Sequence, residues 1–251
     1  MYNERQFVEI FHLLFLDQMG RKLDKKFYAL KGGCNLRFYH NSIRYSEDMD
    51  FDVQIIAKET LKKKIELIID SQPFKQILRS HQIEIAHCSA PKQTETTQRW
   101  KIILKTPLSL PINTKIEFSR REFDGETCFD MINSPVLQFY KLMPILTNHY
   151  SSSKAIEQKI NALIFRTQTQ ARDVFDLCHL IITTTQEKKI NTLSLENIER
   201  AELNAIGISF AEFKSQVVAF LPNDYHAQYN SPSIWNHMVE TTIKFIETLK
   251  P

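Results

Sequence analysis

Three acids at alternate positions, Asp48, Asp50 and Asp52, are the residues in this chain most able to do chemistry. Met49, Phe51 and Val53 fill the positions between and after them, which is the period-two pattern of a half-buried strand. The apolar set points into a core, so the aspartates share the other face, close enough to hold one hard cation. Carboxylate oxygens suit Mg²⁺, and Mg²⁺ in turn bridges to phosphate groups. Asp is disfavoured in strands, and like charges on one face repel. A merely solvated strand face is therefore an uncomfortable alternative.

A second feature lies just upstream. The chain has only five glycines, and Gly32 and Gly33 are adjacent. Phe27 to Leu30 reads as a short strand, and Leu36, Arg37 and Phe38 begin a helical run. Gly-Gly between them gives a sharp turn whose missing Cβ atoms admit another group close to the backbone. Free N–H groups at a helix start suit a phosphate. A plain turn is the bland alternative.

Together these segments carry a family resemblance. Leu30-Lys31-Gly32-Gly33, Leu36-Arg37, and then Arg44-Tyr45-Ser46-Glu47-Asp48-Met49-Asp50-Phe51 resemble the nucleotidyltransferase superfamily, and within it the AbiEii/AbiGii toxin branch. The likeness continues at Lys159, Ala162-Leu163, Arg166 and Arg172-Asp173-Val174-Phe175-Asp176-Leu177 and spans about two thirds of the chain. It implies an α+β fold: a nucleotidyltransferase-like mixed sheet with flanking helices, followed by an α-helical C-terminal domain that completes the active site. The implied activity is transfer of a nucleotidyl group from a nucleoside triphosphate, with Mg²⁺ or Mn²⁺. Asp48 and Asp50 would hold the metal. Members usually carry a third carboxylate on a later strand, and Glu117, an acid between Ile116 and Phe118, is the best candidate. Lys31, Gly32, Gly33, Arg37, Ser46 and Arg166 would contact the nucleotide. Lys159 would hold the triphosphate and Asp173 would complete the pocket. Arg37 or Arg44 is the expected partner of Asp48, since buried acids are usually paired. The acceptor would be an RNA 3′ hydroxyl, most plausibly of tRNA, or a protein hydroxyl, and some members are toxins neutralised by an antitoxin. Plain readings stand beside two of these roles: Asp173 as an acid at a helix N-terminus and Lys159 as a snorkelling surface lysine.

The remaining sequence must position this machinery. At 251 residues, 43% hydrophobic and 24% charged, the chain is long enough for one large domain or two small ones with ample core. A formal net charge of +3 permits contact with RNA or triphosphate without demanding it. Cys34, Cys88, Cys128 and Cys178 are far apart, which suggests neither a zinc site nor a disulfide framework; free thiols in a cytoplasmic protein are expected. No apolar run approaches a membrane span, and no signal-peptide layout is seen.

In order, residues 3–19 read as an amphipathic helix stopped by Gly20. After the acidic strand, residues 57–79 form a helical pattern that Pro73 splits. Lys58, Lys62, Lys63 and Lys64 read as a solvated face. Residues 81–119 look like a strand meander, in which His81, His87 and Cys88 match no common metal spacing. Arg120 and Arg121 could meet phosphate or lie on the surface, and Asp124-Gly125 marks a turn. Ser134-Pro135 opens a helix through Leu142. The polar stretch Asn148–Ser153 is where we place the division into a domain of residues 1–147 and a helical one of 148–251. Two other functions remain open at this point: a metal-dependent phosphohydrolase using the same carboxylates, and a non-catalytic nucleotide- or RNA-binding protein of the same fold.

Overall fold

Asn3 starts the first helix by accepting the Gln6 N–H, and Gln6 returns the bond to the Asn3 backbone. The computed structural model describes residues 2–120, 127–184 and 190–251. That helix, α1 (Glu4–Lys22), is buried at every position from 7 to 16. It is a core helix rather than an amphipathic cover, and Gly20 lies inside it instead of ending it.

The chain divides into two compact units, Met1–Asn41 with Tyr45–Tyr150, and Ser42–Arg44 with Ser151–Pro251. In the first unit α1 is followed by β1 (Tyr28–Lys31), α2 (Gly32–Tyr39), β2 (Asp48–Val53), α3 (Lys58–Asp70) and α4 (Gln72–Ser80). The last two helices are split at Ser71, whose hydroxyl caps the Phe74 N–H, with Pro73 in the first turn of α4. Then come β3 (Glu84–Gln93), β4 (Thr97–Lys105), β5 (Ile112–Arg120), β6 (Thr127–Met131), α5 (Ser134–Phe139) and β7 (Leu146–Tyr150). Helix α5 stops short of Leu142 because Lys141 turns into the left-handed region at φ +55°. Residues 148–150, polar enough to read as a connection, are strand. These residues are buried, and Asn148 Nδ2 donates to the Tyr28 carbonyl at 3.0 Å. Arg121 and the Asp124-Gly125 turn lie outside the described residues.

The strands form one mixed sheet in the order β3-β4-β5-β2-β1-β7-β6. β2 is its middle strand, antiparallel to β1 and parallel to β5. Met49, Phe51 and Val53 are fully buried, and Phe51 stacks on Phe118 at 4.9 Å and meets the Tyr28 ring edge-on. Burying one such aromatic contributes about 2 kcal/mol. A one-residue slip would throw all three into solvent, so this packing fixes the face on which the aspartates emerge.

The second unit is helical: α6 (Ser152–Phe165), α7 (Ala171–Thr183), α8 (Leu195–Ile206), α9 (Phe210–Gln216), α10 (Asn223–Tyr229) and α11 (Pro232–Glu247). Its core includes Trp235, which stacks on Phe213 at 4.6 Å and donates its indole N–H to the Ile208 carbonyl. No helix among the described residues is long and apolar enough to cross a membrane.

Candidate active site

The β1–α2 corner and β2 build the acidic centre. Gly32 opens α2 with φ +65°, a conformation that L side chains rarely adopt. A Cβ there would stand 3.2 Å from Asp50 Oδ2. The group that the missing Cβ admits is thus the Asp50 carboxylate. The N-cap residue Lys31 makes no side-chain capping bond to the first turn of α2. Gly32→Ala is expected to cost about 1–2 kcal/mol from the left-handed backbone alone. It should also displace Asp50; urea melts together with a transfer assay check both effects.

Register gathers the charges. Asp50 lies opposite Lys31 on β1 and Glu117 on β5, and Asp48 lies opposite Lys115. Lys115 Nζ sits 2.8 Å from Asp48 Oδ2, and Arg99 Nε 2.5 Å from Glu117 Oε2. Asp52 is occupied by Lys31 Nζ at 2.5 Å and by the Tyr150 hydroxyl at 2.8 Å. Asp50 alone of these acids has no hydrogen bond or ion pair among the described residues. Burial pushes its carboxyl above the usual range; Asp48 and Glu117 add to this while Lys115 and Lys31 oppose it. An acid held with no partner between two others is a donor set that fits a hard divalent cation. Among the described residues the donor atoms of Asp48, Asp50 and Glu117 do not all lie within 4.8 Å of one another, and Lys115 and Arg99 occupy two of the three acids. Among the described residues, the donors that do lie within 4.8 Å of one another are Cys128, Asp130 and His149.

Several expected contacts fall elsewhere. Arg37 forks onto the buried Glu9 at 2.7 and 3.3 Å and stacks over Tyr45. Arg44 forks onto Asp176 at 3.0 and 2.8 Å. Asp48 takes Lys115, so the expected arginine clasp on Asp48 is corrected: each guanidinium follows the more deeply buried acid. Lys31, expected at phosphate, is bonded to Asp52, and the Ser46 hydroxyl donates to the Asp48 carbonyl at 2.8 Å. Arg120 donates to Gln98 Oε1 and to the Ile56 carbonyl. His12 is buried against Thr114, and desolvation lowers its pKa to about 3, so it is a neutral core imidazole.

The second unit brings its motif residues together. Lys159 Nζ lies 3.0 Å from Asp173 Oδ1 and 2.7 Å from Asp176 Oδ2. Arg166 Nε lies 3.3 Å from Asp173 Oδ2. Lys159 is nearly buried, so it is not a snorkelling surface lysine, whereas Asp173 does lie in the first turn of α7, as the plain reading has it, and is there buried among cations. Lys115 and Arg99 were missed in the sequence, although Lys115 shares the alternation of Glu117. Tyr150, which holds Asp52, gave no signal there.

Solved structures share this fold. JHP933 from Helicobacter pylori is 19% identical, with 99% of this chain and 95% of that one covered and a TM-score of 0.60. MenT4, a nucleotidyltransferase toxin from Mycobacterium tuberculosis H37Rv, is 15% identical over 97% of this chain and 84% of that one, with a TM-score of 0.67. Comparison with curated protein sequences returned no match. The profile that matches most of the chain is that of a class of nucleotidyl transferases. The chain is a member of the family described as "Nucleotidyl transferase AbiEii toxin, Type IV TA system", whose profile matches residues 14–231.

Proposed function

We propose that the protein transfers a nucleotidyl group from a nucleoside triphosphate to an RNA hydroxyl, at the 3′ end of tRNA, with Mg²⁺ or Mn²⁺ held by Asp48, Asp50 and Glu117. The observation that carries the reading is Asp50: a partnerless acid, raised by burial, set against the positive-φ Gly32. When bound, the metal would supply charge neutralisation at the α-phosphate and the leaving pyrophosphate. Asp48 and Glu117 would exchange Lys115 and Arg99 for it, which frees two cations for phosphate oxygens. The uncapped first turn of α2, at Gly32 and Gly33, would receive the β- and γ-phosphates, with Lys31, Ser46 and Arg37 around it. In the helical unit Lys159 and Arg166, both held by Asp173, are the cations assigned to the triphosphate. The acceptor oxygen forms its bond to the α-phosphorus as the bond to pyrophosphate breaks, and the hydroxyl proton leaves to solvent. Family membership supports an antitoxin partner.

The test is incubation with each labelled triphosphate, Mg²⁺ and total RNA, comparing wild type with Asp48→Ala. Label should enter tRNA from one or more triphosphates in the wild type alone. Label in protein would move the acceptor. Release of phosphate with no acceptor labelled would replace transfer by hydrolysis.

A further inference from the structure

The antiparallel pairing of β6 with β7 sets Cys128 directly opposite His149, and Asp130 follows two residues on along the same face. Donor atoms of all three lie within 4.8 Å of one another. His149 is 3% exposed, and its ring is clamped flat against Tyr39 at 3.6 Å. Its Nδ1 lies 3.0 Å from both Asn35 Oδ1 and the Tyr150 carbonyl. A carbonyl oxygen only accepts, so Nδ1 carries the proton. Asn35 is oriented for this, since its Nδ2 donates to the same Tyr150 carbonyl. With the proton on Nδ1, the neutral imidazole presents a lone pair at Nε2. That lone pair faces another acceptor, Asp130 Oδ2, at 3.2 Å. A second proton on the ring would join the two as an ion pair, and a metal cation between them would satisfy both as well. Two ligands each about 2.0–2.1 Å from a tetrahedral Zn²⁺ stand about 3.3 Å apart. An imidazole whose far nitrogen is fixed by an amide and a backbone carbonyl is also how proteins aim metal-binding histidines.

We infer that Cys128, Asp130 and His149 form a Zn²⁺ site, separate from the carboxylates of β2. Thiolate, imidazole and carboxylate together suit zinc, with a fourth position for solvent or a further donor. The thiol proton of Cys128 passes to solvent on binding. Tyr150 reaches Asp52 with its hydroxyl, so His149, the preceding residue on the strand, points to the opposite face of the sheet. The bound ion would pin the edge strand β6 to β7 and, through Asn35 and Tyr39, to α2. The 21-residue gap from Cys128 to His149 hid this group from any reading of sequence spacing.

The full chain, stripped of metal, is titrated with Co²⁺ and then with Zn²⁺. One equivalent of Co²⁺ should give a near-ultraviolet thiolate-to-cobalt charge-transfer band that Zn²⁺ abolishes. Cys128→Ser should lose the band. Cys88→Ser, which changes the other half-buried thiol, should keep it, and so should Asp50→Asn, because carboxylates alone give no such band. Asp130 is 63% exposed, so Asp130→Asn leaves the fold undisturbed and should weaken Zn²⁺ binding about tenfold or more. The proposal is overturned by the absence of a band in the wild type, by a band that survives Cys128→Ser, by one that disappears in Cys88→Ser, or by unchanged zinc affinity in Asp130→Asn.

Discussion

Asp50→Asn is expected to reduce nucleotidyl transfer by about 1,000-fold or more while raising the melting temperature at neutral pH. The activity loss follows from the proposed metal set. Asn offers one neutral oxygen where Asp50 offers a charge that no hydrogen bond or ion pair among the described residues takes up, and several kcal/mol of transition-state stabilisation go with it. The stability gain follows from the same isolation. Burial, with Asp48 and Glu117, raises the folded-state pKa of Asp50 above its unfolded value. The folded chain therefore prefers the protonated acid, and ionisation costs stability as pH rises from the unfolded pKa through the folded one. Asn does not titrate. The variant's advantage should be complete above the folded pKa, shrink as pH falls, and vanish below the ordinary carboxylate range. Asp48→Asn and Glu117→Gln should show no such gain in melting temperature at neutral pH, because each takes the partner from a cation, Lys115 or Arg99. Melting curves across pH, with the transfer assay at one pH, check both halves. A variant of Asp50 that transfers normally removes the metal assignment, and one that melts below wild type at neutral pH removes the account of its isolation.

How much of this was legible in the sequence depends on range. The β2 face was readable because alternation is a local property: Met49, Phe51 and Val53 have one place to go, and the acids follow. Gly32 was readable as a corner, but not what fills it, since Asp50 arrives from the paired strand. The split at Pro73 and the meander of β3 to β5 are likewise local. Strand β7 was not legible, because Asn148 and His149 are polar residues buried by hydrogen bonds to Tyr28, Asn35 and Tyr150, and no periodicity announces such bonds. The reach of α1 past Gly20 was missed for a related reason. Tertiary burial on all sides outweighs one poor helix former. Ion-pair partners were the least legible of all. Arg37 and Arg44 sit in the motif that contains Asp48, but they go to Glu9 and Asp176, acids 28 and 132 residues away.

The Arg44–Asp176 pair leads to the second large effect: Asp176→Ala should destabilise the protein by about 3–5 kcal/mol. Asp176 is fully buried and accepts from Arg44 Nε and Nη2 and from Lys159 Nζ. Removing it leaves two buried cations, of which Lys159 keeps Asp173 and Arg44 loses a bidentate partner. Burial alone would raise the Asp176 pKa, yet Arg44 and Lys159 outweigh it and hold the carboxyl well below the ordinary range. The sign of the pH dependence follows. A depressed folded-state pKa contributes stability above the unfolded pKa, and that contribution is lost as pH falls toward the folded one. The gap between wild type and Asp176→Ala should therefore be widest near neutrality and narrow steadily through the acid range, the reverse of the trend with Asp50→Asn. Arg166→Gln is the control. Its guanidinium is about one-third exposed and meets Asp173 at 3.3 Å, so its loss should cost no more than about 1 kcal/mol. Chemical denaturation of the wild type and both variants at neutral and acid pH tests the ranking. If Asp176→Ala melts as Arg166→Gln does, the buried network is not what holds Lys159 in place. The lysine would then be free to meet phosphate without first surrendering two carboxylates.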